Sequence, residues 1–132
     1  MPADRKNRRI LALCALFSSL ACSASWAHHS IGGEFINGEE VTVTGTVTEF
    51  RLINPHTYIV IGVSDGASSS QDWTLTYGPA TKLIRGMGWT PETLKIGDSV
   101  TATGRPAREG LGMYLSWLAK ADGTVLLTEL IE

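Results

Sequence analysis

Both cysteines of this 132-residue chain, Cys14 and Cys22, fall within its first 27 residues, and no thiol follows them. From residue 28 onward the sequence therefore excludes disulfides, zinc–thiolate sites and cysteine nucleophiles. It also lacks a run of about 20 apolar residues, so no transmembrane segment is expected. No stripe of Lys and Arg is present to displace counterions from phosphates, which argues against nucleic acid as a partner. A Gly-x-Ser-x-Gly elbow, a phosphate loop and a dinucleotide fingerprint are missing too. Ser68-Ser69-Ser70 has the composition of a flexible loop, and no pair of groups is spaced for general acid–base work. These absences point away from an enzyme and leave stability to packing.

What the chain does contain begins with an export signal. Arg5, Lys6, Arg8 and Arg9 precede an apolar run from Ile10 through Leu20, and Ser25 and Ala27 stand at the positions a signal peptidase reads. A cut after Ala27 delivers residues 28–132 to the periplasm with seven basic against twelve acidic residues, a formal charge of −5. That length suits one domain. Two alternatives stay open: lipidation of Cys22, although Ser19 stands where a large aliphatic residue belongs, and a cut after Trp26.

Beyond an N-terminal arm over residues 28–40, the pattern has period two. Val41, Val43, Gly45 and Val47 alternate with Thr42, Thr44, Thr46 and Thr48, as in a half-buried strand. Asn54-Pro55 breaks that run; Tyr58 to Val63 is apolar on both faces, and Trp73, Leu75 and Tyr77 alternate with polar residues. Connections this short favour an antiparallel meander. Pro79 opens a short helix in which Ala80, Leu83, Ile84 and Met87 recur on one face, and Thr90-Pro91 caps a further turn. Ser99 to Thr103 gives a fourth strand. Met113, Leu115, Trp117 and Ala119 form one face of a fifth, and Asp122-Gly123 signals a hairpin into Val125 to Leu130. The expected fold is mainly β: an OB-like, five- to six-stranded antiparallel barrel over 41–132, with one short helix between strands 3 and 4.

The chain resembles a family of small exported bacterial proteins of unknown function. The likeness is carried by His28-His29-Ser30, Glu34-Phe35, Gly45-x-Val47, Asn54-Pro55-His56, Trp73, Gly88-Trp89-Thr90, Leu94, Gly97-Asp98-x-Val100, Gly104 through Gly110, and Asp122-Gly123. It departs from the family pattern at Ile31, where an aromatic is usual, and at Ile36-Asn37, where an acid is. The resemblance implies a periplasmic OB-like domain and brings no established activity.

A metal hypothesis rests on His28. As a first residue it would offer its α-amine and imidazole to one ion, with His56 or His29 supplying a third nitrogen and Glu34 an oxygen. The amine titrates near ~8 and imidazole near ~6.5, so both suit Cu(II) at neutral pH. The competing reading makes His28 and His29 part of a frayed arm and His56 a turn residue. Met87 and Met113 are soft ligands for Cu(I) in principle, but both fall on expected apolar faces. Trp73 and Trp117 share phase with the core, whereas Trp89 is the tryptophan expected to reach a partner. The functional expectation is a non-catalytic periplasmic binding protein, either a copper carrier or a metal-independent module. The module would present Trp89 and the Arg108 turn to a periplasmic protein or glycan.

Overall fold

A computed structural model describes residues 31–66 and 69–129; His28, His29, the expected signal segment and Leu130 lie outside them. The described chain runs α1 (Ile31–Glu34), β1 (Val41–Arg51), β2 (Thr57–Ser64), β3 (Ser70–Tyr77), α2 (Ala80–Met87), β4 (Ser99–Pro106), β5 (Gly112–Lys120) and β6 (Val125–Thr128).

The Val/Thr alternation folds as expected. Thr42 and Thr44 point out of β1 and pair hydroxyl to hydroxyl with Thr103 and Thr101 of β4, each at 2.8 Å, a cross-strand pairing that supports the register. β1 serves two neighbours: its first half runs antiparallel to β4, from Val41 opposite Gly104 to Thr46 opposite Ser99. Its second half pairs with β2, ending with Arg51 opposite Tyr58. One strand shared in this way coils the sheet into a barrel. Gly45 lies at the crossing, where a Cβ would stand 2.6 Å from the Gly62 carbonyl oxygen.

Strand order is β3-β2-β1-β4-β5-β6, and a β3–β5 pairing closes the first five strands into a barrel with β6 added at β5. The closing seam is parallel, with Leu75 opposite Met113 and Thr76 opposite Tyr114. That corrects the wholly antiparallel expectation: β3 and β5 are separated by α2 and β4, a connection long enough for parallel pairing.

Val47, Ile59, Ile61, Leu75, Val100, Leu115 and Leu118 fill the interior, each at most 1% exposed. Two expected apolar faces are revised. Ser116 has no partner in the β4–β5 register, which steps from Thr103–Trp117 to Gly104–Leu115. The extra residue reverses the alternation, so Leu118 enters the core and Trp117 is half-buried. In α2 only Ala80 and Leu83 are buried, while Ile84 is 47% and Met87 38% exposed. Turn chemistry follows the sequence: the Lys120 ammonium, and after it the Lys95 amide, hold the Asp98 carboxyl below its ordinary range. No helix among the described residues is long and apolar enough to cross a membrane.

Candidate functional site

Residues 31–40, expected as an arm, are docked along their described length. Phe35 is 5% exposed and bridges to Ala107, and the Ile36 amide donates to the Pro106 carbonyl at 2.9 Å. Arg108 acts on the same segment: its Nε donates to the Gly33 carbonyl at 3.0 Å and its amide to the Glu34 carbonyl at 2.9 Å. Arg108 is exposed, yet it engages the arm rather than standing clear as a partner-facing side chain.

Trp89 corrects the other partner expectation. It is 3% exposed, packs edge-on against Phe50 with ring centroids 5.8 Å apart, and donates its Nε1–H to the Leu126 carbonyl at 2.9 Å. Flanking Gly88 and Thr90 made it look like a loop residue. The left-handed Gly88, at φ 69°, ends α2 and turns Trp89 back into the barrel.

Of the metal candidates, His56 and Glu34 lie among the described residues, and His28 and His29 lie outside them. His56 is half-buried after the cis Asn54–Pro55 bond, with Tyr58 as its ring neighbour at 6.5 Å between centroids. Glu34 is exposed and offers its backbone carbonyl to Arg108. No group of three His, Cys, Asp or Glu able to hold a metal occurs among the described residues.

Docking of the arm instead creates a cleft of about 590 Å³ against β5, lined by Gly38, Glu39, Glu40, Arg105, Tyr114, Leu115, Ser116 and Glu129. Its wall is built by aromatic packing. Tyr114 meets Phe35 edge-on at 5.6 Å and Tyr77 at 5.7 Å. The Arg105 guanidinium lies 5.0 Å from the centre of the Tyr114 ring, within cation–π range, and donates to Asn37 Oδ1 at 2.8 Å. Ser116, the bulge residue, turns its hydroxyl to Glu40 Oε1 and the Thr103 carbonyl, both at 3.2 Å. Glu129 pairs with Lys82 and accepts from the Tyr77 hydroxyl, both at 3.4 Å. The Tyr77 hydroxyl, ahead of Glu129, keeps the Lys82 ammonium above its ordinary range. Burial first, then the Glu129 charge, pushes the Tyr114 phenol up.

None of these cleft residues is a site candidate in the sequence, because the cleft joins positions far apart. Asn37 and Arg105 are 68 residues apart, and Glu40 and Ser116 are 76. The one sequence signal was the Gly104–Gly110 segment, which holds Arg105.

A five-stranded barrel closed by a parallel β3–β5 seam, with a helix between β3 and β4, defines the chain as an OB-type small barrel. Within that class it belongs to the DUF6152 family of unknown function, whose family profile matches residues 16–115. Among solved structures it is similar to Rim1, a mitochondrial single-stranded DNA binding protein from S. cerevisiae. The two share 12% identity at a TM-score of 0.49 over 65% of this chain and 96% of that one. No curated protein matches the sequence.

Proposed function

We propose that this chain is a small exported binding protein, non-catalytic, which holds a small molecule in the cleft between its docked arm and β5. The carrying observation is the cleft itself. At about 590 Å³ it falls within the ~300–1,000 Å³ typical of small-molecule sites, and it combines an aromatic wall with several charged groups. The acid excess of the exported chain argues against a polyanion as ligand.

A second reading keeps copper. If the cut falls after Ala27, the amine and imidazole of His28 chelate Cu(II), with His29, His56 or Glu34 completing the set.

Native mass spectrometry of the protein recovered from its export compartment tests both readings. The cleft reading predicts a small-molecule adduct that is lost in Arg105→Gln. A bare polypeptide, or an adduct indifferent to that change, contradicts it. The copper reading predicts one Cu(II) per chain for a start at His28, and loss of that uptake when one residue is added ahead of it. Equal uptake by native and blocked chains contradicts the chelate.

A further inference from the structure

Charges of both signs line the cleft without neutralising one another. Arg105 uses one of its five N–H donors, on Asn37 Oδ1, and its guanidinium lies over the Tyr114 ring, 5.0 Å from its centre. Among the described residues no carboxylate pairs with it. Across the same cleft Glu39 has no hydrogen-bond partner among the described residues, and Glu40 accepts only from the Ser116 hydroxyl. Glu129 is already engaged by Lys82 and Tyr77. The groups left over are one guanidinium and two carboxylates.

We propose that the cleft binds a zwitterion of the α-amino acid or short-peptide class, with its carboxylate on Arg105 and its ammonium groups toward Glu39 and Glu40. A guanidinium matches a carboxylate in a planar, two-point fashion. Its cation–π contact with Tyr114 and its bond to Asn37 hold it in place before a ligand arrives, which lowers the ordering cost of binding. The two free carboxylates outnumber the one cation, so a ligand with a second ammonium complements the cleft better than an acidic one. The ring of Tyr114 provides an apolar surface for a methylene chain between the charges. Because Glu39 and Glu40 are exposed, binding weakens as salt rises.

This assignment rests on the cleft reading above and is tested by calorimetric titration of the exported chain with L-lysine, L-glutamate and cadaverine. L-lysine is expected to bind at least about ten-fold more tightly than cadaverine, which lacks the carboxylate, and than L-glutamate. Arg105→Gln removes the advantage of L-lysine over cadaverine without weakening cadaverine, whose two ammonium groups lose a like-charged neighbour, while Glu40→Gln weakens both. Glu40 is exposed, so its variant remains informative even if Arg105→Gln does not fold. Equal binding of L-lysine and cadaverine, or an unchanged L-lysine affinity in Glu40→Gln, overturns the assignment. If a native adduct is nevertheless lost with Arg105→Gln, the cleft reading survives that failure; if there is neither adduct nor binding, both fall.

Discussion

Replacing Gly104 by alanine is expected to destabilise the protein by about 3 kcal/mol, at the upper end of overpacking costs. A Cβ at this position would stand 2.2 Å from the Tyr114 carbonyl oxygen, 2.8 Å from its carbon and 3.0 Å from the Leu115 Cα. All three obstacles are backbone, so no rotamer change relieves them, and β4 and β5 must separate at the Ser116 bulge. Arg105 and Tyr114 face each other one register step away, so the same displacement takes apart the cleft wall. Gly86 is the control. It lies within α2 with nothing within 4 Å of its added Cβ, and Gly86→Ala should stabilise by about 0.5–1 kcal/mol through helix propensity. Denaturant midpoints at constant m-value check both signs. A Gly104→Ala protein as stable as the parent would mean that the strands do not approach as described.

Trp89→Ala carries the other large effect, about 4 kcal/mol, as for other large aromatic truncations in a packed core. Two losses contribute: the indole leaves a cavity beside Phe50 in the core, and the Leu126 carbonyl loses its donor. Trp89→Phe separates them, since it keeps most of the packing and costs about 1–2 kcal/mol for the abandoned hydrogen bond. Denaturant unfolding of the two variants reads the difference. A Trp89→Ala loss below about 1 kcal/mol would return the residue to the surface role expected from its Gly88 and Thr90 neighbours.

How far the sequence reached follows from the range of the interactions involved. Val/Thr alternation in β1, the Pro79 helix and the Asp122-Gly123 hairpin are local, and each formed where its pattern stands. Trp117 was misjudged because the bulge at Ser116 is a property of two strands, and a period read along one strand continues through it. Ile84 and Met87 keep helical spacing with Leu83, but α2 buries a stripe too narrow to cover them. Arg108 read as a turn residue facing a partner because its use depends on Gly33, 75 residues away. Arg105, Tyr114 and Glu40 meet only after the barrel closes and the arm docks, so their joint role has no local signature. The histidines and Glu34 were conspicuous because of residue type, a weaker guide than placement.

The most direct measurement of the central claim, that a ligand enters beside the docked arm, is mapping of backbone amide shifts while the protein is titrated with L-lysine. The account predicts that the perturbed amides concentrate at Gly38 to Glu40, Arg105 and Tyr114 to Ser116. Shifts confined to His56 and its loop, or to the 107–111 turn, would contradict it, as would a spectrum unchanged at saturating ligand.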